Sequence, residues 1–269
     1  MKKKRIISLF LSGVLALGLI GCGGNKNDEK TIKIGVTEVP HKAIIEQVVD
    51  DLKEEGYNLE IKVFNDYVTP NTAVEEGDLD ANFFQHIAYL NKTNESKGYH
   101  LKNVAEVHVE PMGVYSDKLK NLDDLKDGAT IAIPNDPSNE ARALRLLQAA
   151  GLIEVKDSDV ATPADITKNP KKLQFEELDA AQLTRTLEEV DAAVINGNYA
   201  LQAGLDVNKD GLYIEDKNDE KIKEMRNILV VKEGSEDEAK IKALIEALTS
   251  DKVKKYIEEE YKGTVIPVF

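Results

Sequence analysis

Hydrophobic positions beyond residue 30 recur with two periods. Ile32, Ile34 and Val36 fall at every second residue, with Lys33 and Gly35 between them, which predicts a strand over 31–36. Ile44, Val48 and Leu52 then repeat at every fourth residue beside Ile45 and Val49, so 41–55 reads as an amphipathic helix opened by Pro40 and closed by Gly56. Leu59, Ile61 and Val63 restore the alternation. Strand, helix and strand within about 35 residues argue for a parallel sheet covered by helices.

The same reading continues along the chain. It predicts helices over 73–77 and 87–97 and a strand over 80–84, followed by an extended run over 104–115. A strand over 130–133 leads through a Pro- and Asn-rich loop into a helix from about 140 to 150. Strands follow over 173–178, 191–195 and 227–231, and helices over 240–248 and 252–261. Asp179 with Gln182 suggests a capping box for a helix reaching 189. The class is α/β. Crossovers near 110–115 and 224–227 would divide the folded part into a discontinuous lobe, 31–112 plus 225–269, and an inserted lobe, 113–224.

The N-terminus has another character. Lys2, Lys3, Lys4 and Arg5 precede an apolar run, 6–20, that is too short to span a bilayer and has the length of a signal-peptide core. It ends in Leu19-Ile20-Gly21-Cys22, which resembles a bacterial lipobox with Cys22 as the lipidated first residue of the mature chain. A plain signal peptide with an incidental cysteine is the alternative. Residues 1–21 are expected to be a signal peptide and 22–30 a polar, Gly- and Asn-rich tether. The chain would then touch the membrane only through its lipid, on the extracytoplasmic face. Cys22 is the only cysteine, so no intramolecular disulfide can form.

Charge narrows the partners. Loss of 1–21 removes four basic side chains and takes the net charge from −14 to −18. Such a chain repels nucleic acid and anionic lipid alike. There is no G-x-S-x-G, no H-E-x-x-H and no cysteine beyond Cys22, so no enzyme is expected. Glu106, His108 and Glu110 would share one strand face and, with His86 or His100, could suggest a metal site. Alternating polar residues more often face water, and neither a metal nor a cofactor is expected.

The stretch 66–90 is where ligand chemistry concentrates. Tyr67, Phe83, Phe84, His86 and Tyr89 are crowded together in a chain with only 9 Tyr, 6 Phe and no Trp. They are mixed with Asn71, Asn82 and Gln85, a blend that suits a small, partly apolar ligand as well as a core. Phe83 should point away from Phe84 and into the core if this is a strand. Arg142, in the first turn after the 134–139 loop, offers a planar fork to a carboxylate, or a surface salt bridge to Glu140 or Glu176. Asn196 and Asn198 flank a glycine just beyond a buried strand, where they could contact a ligand or simply form a turn.

Five motifs in order carry a resemblance. D-Y-V-x-P-N-x-A from Asp66, D-A-N-x-F-Q-H-x-x-Y-L from Asp80, E-P-M-G-x-Y-S from Glu110, I-P-N-D-x-x-N-x-x-R-A-L from Ile133 and D-A-A-V-I-N-x-N-Y-A from Asp191 are similar to the NlpA/MetQ family of methionine-binding lipoproteins. The resemblance runs from about Lys33 to the C-terminus. It implies a two-lobed periplasmic-binding-protein fold of type II, each lobe a central sheet flanked by helices, with the ligand in the cleft between them. It further implies capture of L-methionine for an ABC import permease with its ATPase. D-methionine, a methionine-containing dipeptide or a surface adhesion role are the alternatives. By position, Tyr67, Phe84, His86 and Tyr89 correspond to contacts with the thioether side chain. Arg142 corresponds to the carboxylate-binding arginine, Asn196 to a polar contact, and Asn227 to the family's last ligand contact.

Overall fold

A computed structural model describes residues 30–269. The signal peptide, Cys22 and all but the last residue of the tether lie outside the described residues. The described residues form thirteen strands, in chain order β1 Thr31–Thr37, β2 Asn58–Phe64, β3 Ala81–His86, β4 Leu101–Val109, β5 Gly113–Tyr115, β6 Thr130–Pro134, β7 Glu154–Val155, β8 Ile166–Lys168, β9 Gln174–Leu178, β10 Ala192–Ile195, β11 Tyr213–Ile214, β12 Arg226–Lys232 and β13 Ile266–Pro267.

They form two main sheets. One has six strands in the order β13-β4-β12-β3-β1-β2, and the other has five in the order β11-β5-β10-β6-β9. In the first, β1 runs parallel to both β2 and β3, while β12 lies antiparallel between β3 and β4. In the second, β10 and β6, and β6 and β9, are parallel, with β5 antiparallel to β10. Strands β7 and β8 form a separate antiparallel pair. The chain passes between the main sheets twice, between Val109 and Gly113 and between Ile214 and Arg226.

Helices cover both faces of each sheet, and period-2 alternation shows how. On β12, Leu229 and Val231 join the core beneath helices Ala239–Leu248 and Asp251–Tyr261, while Ile228 and Val230 pack on the opposite face with Val74 and Leu90. On β10, Ala192 and Val194 meet Leu144 and Leu147 of the helix Pro137–Ala149, and Ala193 and Ile195 face Leu183 and Tyr199. Phe83 is fully buried in the first of these cores, away from Phe84. Among the described residues no helix is long and apolar enough to cross a membrane.

Several local expectations need correction. The helix over 41–55 is broken: Ala43–Ile45 passes through a 3-10 turn, Glu46–Val48, into Val49–Glu54, and Val48 leaves helical geometry at φ −103°, ψ 0°. Two adjacent β-branched valines at the break weaken the continuous helix. The helix expected from about 140 starts at Pro137, because the Asp136 carboxylate caps the Asn139 N–H and proline suits the first helical position. Asp179 does cap, but onto Ala181, and the segment it opens is a 3-10 helix, Ala180–Thr186, with no reciprocal bond from Gln182. The extended run 104–115 is split, since β4 and β5 belong to different sheets.

Candidate ligand-binding site

The carboxyl ends of parallel strands in both sheets converge on one cavity, as is usual for ligand crevices in open α/β sheets. Tyr67 follows β2, Phe84 and His86 end β3, and Tyr89 lies in the first turn of Ile87–Lys97. From the other sheet, Asn139 and Arg142 sit on the helix after β6, and Asn196 and Asn198 follow β10. Asn227 enters from β12 and Glu110 from the first crossover. All these residues line the cavity, which contains about 330 Å³ of non-atom space.

Aromatic rings make one wall. Tyr67 lies 5.9 Å from Phe84 and 5.7 Å from Tyr89, and Phe84 lies 6.2 Å from Tyr89, centroid to centroid. Tyr67 also packs at 5.1 Å on Tyr199 of the helix that follows β10, Gly197–Gln202. His86 is electrically neutral there: burial lowers its pKa to about 3, and the Arg142 charge pushes the same way. Its Nδ1 accepts from the Tyr89 backbone N–H, which leaves Nε2–H to donate to Asn139 Oδ1 at 3.0 Å. The same Asn139 oxygen accepts from Asn196 Nδ2 at 2.7 Å. Asn139 thus ties the end of β3 to the loop after β10.

The opposite wall is polar and unevenly paired. With its amide committed to Asn139, Asn196 turns Oδ1 inward, and that buried oxygen has no hydrogen-bond partner among the described residues. Asn198 is its mirror: Oδ1 accepts from the Tyr67 hydroxyl, and the buried Nδ2 is unpartnered among the described residues. Asn227 Oδ1 is taken by His41 Nε2 at 3.0 Å, which leaves its amide to face the cavity. Unpaired buried amides are costly, and they mark the places where a ligand would have to donate or accept.

Arg142 is buried and already holds an anion. Its Nε donates to Glu215 Oε1 at 2.9 Å, its Nη2 to Glu215 Oε2, and Nη2 also to the Glu110 carbonyl at 2.9 Å. Burial opposes its charge, but Glu215 outweighs burial and the guanidinium stays above its usual range. The salt bridge to Glu140 or Glu176 considered from sequence is therefore replaced by one to Glu215, and it is not at the surface. Nη1 makes no protein hydrogen bond among the described residues.

The metal reading also changes. Glu106 pairs with Arg226 and His100 with Glu75, both at the surface. His108 and Glu110 are buried rather than solvated, and they meet His41, with the three donor atoms within 4.8 Å of one another. They already hydrogen-bond among themselves: His108 Nε2 lies 2.7 Å from Glu110 Oε1. His41 Nδ1 is engaged by Thr37.

All seven ligand contacts suggested from sequence, Tyr67, Phe84, His86, Tyr89, Arg142, Asn196 and Asn227, line this one cavity. Asn139, Glu110 and Gly197 line it too, although no local pattern marks them as contacts, and Asn198, ambiguous in sequence between contact and turn, joins them. Gly197 is required by close approach. A Cβ there would stand 2.6 Å from the Glu110 Cβ. Gly197→Ala should therefore push the two walls apart and lower ligand affinity about tenfold or more, since overpacking typically costs about 1–3 kcal/mol. Calorimetry on the variant measures this, and unchanged affinity would show that the contact relaxes freely.

The NlpA lipoprotein family profile matches residues 32–269, nearly all of the described chain. The chain belongs to that family. It is 42% identical to the methionine-binding lipoprotein MetQ of Bacillus subtilis, over 100% of this chain and 99% of the relative. Among solved structures, a nutrient-binding protein from Burkholderia cenocepacia bound to methionine matches at 44% identity and TM-score 0.83, covering 88% of this chain and 100% of that one. An ABC-transporter periplasmic substrate-binding protein from Coxiella burnetii matches at 42% identity and TM-score 0.83, with 88% and 100% covered. The fold is the two-lobed α/β fold of these binding proteins, and the family's role is substrate binding rather than catalysis.

Proposed function

We propose that this protein is a lipid-anchored, extracytoplasmic solute-binding protein that captures L-methionine and delivers it to an ABC import permease driven by its ATPase. The observation that carries the reading is the pairing of an aromatic wall with two buried amide atoms of opposite character, Asn196 Oδ1 and Asn198 Nδ2, that have no partner among the described residues. A zwitterion with an apolar side chain needs that combination. The Tyr67, Phe84 and Tyr89 rings, with neutral His86, suit a thioether, whose sulfur–aromatic contacts contribute about 0.3–1.5 kcal/mol each. Arg142 Nη1 and the Asn198 and Asn227 amides would donate to the carboxylate, while Asn196 Oδ1 accepts from the ammonium.

In this reading the lobes are 31–112 plus 225–269 and 113–224, hinged at the two crossovers, and they close around the ligand. Cys22 carries the lipid and holds the protein at the outer face of the cell membrane. No chemistry is performed on the ligand. Native mass spectrometry of the full chain, purified without added amino acids, should show a bound mass equal to methionine, and chiral chromatography of the released ligand should give the L form. Release of D-methionine or a dipeptide would redirect the assignment, and release of an unrelated solute would end it.

A further inference from the structure

We propose that Glu110 is the counter-charge for the ligand's ammonium, so that the cavity reads the amine of an amino acid more stringently than its carboxylate. The inference deepens the methionine reading and rests on it. It begins with the charges that line the cavity. Among the described residues, Arg142 is the only cation lining it, and Glu215 already takes its Nε and Nη2. Glu110 is the only anionic side chain of the described residues in that lining. Arg142 meets Glu110 in a hydrogen bond only through the backbone carbonyl.

The groups that hydrogen-bond the Glu110 carboxylate are neutral, and the one nearby cation among the described residues, Arg142, acts on it through space without donating to it. His108 Nε2 is 2.7 Å from Oε1, and His41 Nε2 is 3.5 Å away. Burial lowers the pKa of His41 to about 4 and that of His108 to about 3, so neither ring carries charge near neutral pH. The Asn198 backbone N–H also donates to the carboxylate. These donors fix the group in place without neutralising it. Burial accordingly pushes the Glu110 carboxyl above its ordinary range. An ammonium resting against Asn196 Oδ1 and Glu110 supplies the missing positive charge and satisfies the orphaned oxygen together. Gly197 offers no side chain over Glu110 Oε2, where a Cβ would sit at 3.1 Å.

The expected pH dependence has a definite sign. The charged or titratable groups around Glu110 are His41, His108, Arg142, Tyr67 and Tyr261. At mildly acidic pH the histidines remain neutral, Arg142 remains charged and the tyrosines, raised by burial, remain protonated. Glu110 is then the group that titrates. Its pKa is raised without ligand and drawn down by the ammonium, so affinity falls as pH falls through the ligand-free value.

The test is calorimetric titration of the full chain, wild type and Glu110→Gln, with L-methionine, with its decarboxylated amine and with its desamino acid. Wild type should bind the amine more tightly than the desamino acid. Glu110→Gln should weaken methionine and the amine about 100-fold, leave the desamino acid unchanged and flatten the pH profile. Equal losses for all three ligands would make Glu110 merely structural and overturn the proposal. Should Glu110→Gln not fold, the wild-type comparison decides alone: a preference for the desamino acid overturns it. A wild-type chain that binds none of the three overturns the methionine reading itself, and the role of Glu110 with it.

Discussion

Arg142→Ala is expected to abolish measurable methionine binding and to destabilise the fold by about 3 kcal/mol. Both effects have one origin. The guanidinium is 5% exposed and its partner carboxylate 16% exposed, so removing the cation strands Glu215 in a largely dry site. The lower end of the usual range for a broken buried pair applies because Glu215 keeps some water. Loss of binding by this variant alone is therefore ambiguous. Arg142→Met combined with Glu215→Leu resolves it. Replacing both partners by apolar groups should restore most of the stability, read as the midpoint of a urea melt, while methionine binding stays weakened. If the double variant binds methionine normally, Arg142 is a structural residue and the carboxylate is held elsewhere.

Tyr67→Ala should weaken methionine binding by at least about 100-fold, the second-largest effect of any single change. Its ring belongs to the aromatic wall and packs on Tyr199 of the helix after β10, and its hydroxyl donates to Asn198. Truncation removes wall and bridge together. Tyr67→Phe separates them, because it keeps the ring and costs only the hydrogen bond, about 1 kcal/mol, with a further penalty for the stranded Asn198 oxygen. The expected order of affinity is wild type, then Tyr67→Phe about tenfold weaker, then Tyr67→Ala. Equal damage from both substitutions would mean that the interlobe hydrogen bond, not the ring, governs affinity.

Much of this was legible in the chain because it depends on local pattern. Period-2 alternation placed β1 and β2, an apolar run after a charged loop placed β12, and the strand period separated Phe83 from Phe84 correctly. The aromatic stretch and the five motifs brought six residues to one cavity, and the family's last-contact position added Asn227, although the seven span 161 positions from Tyr67 to Asn227, inclusive. The features that stayed hidden depend on long-range pairing, which no periodicity encodes. Glu215 lies 73 residues from Arg142 in a charged loop, and nothing in its neighbours marks it as the arginine's partner. Glu110 and His108 looked like solvent-facing residues of an alternating strand, yet the crossover between sheets buries them beside His41. Asn198 matched turn composition, and only the unpaired Nδ2 sets it apart.

The two orphaned amides also bear on dynamics. A cavity that leaves a buried acceptor and a buried donor unpaired is costly without its ligand, and a ligand that satisfies both favours the arrangement in which Tyr67 meets Asn198 and His86 meets Asn139 across the two sheets. Closure and recognition then draw on the same atoms. That coupling suits a carrier, which must present a ligand-loaded shape distinct from its unloaded one.

The most direct test of the central claim is a calorimetric titration of the full chain, stripped of ligand by reversible unfolding, with L-methionine and separately with D-methionine. Saturable binding of L-methionine at one per chain, tighter than that of the D form and weakened by Asn196→Ala, is the predicted result. A refolded chain that gives no binding heat and no thermal stabilisation with either enantiomer would contradict the account.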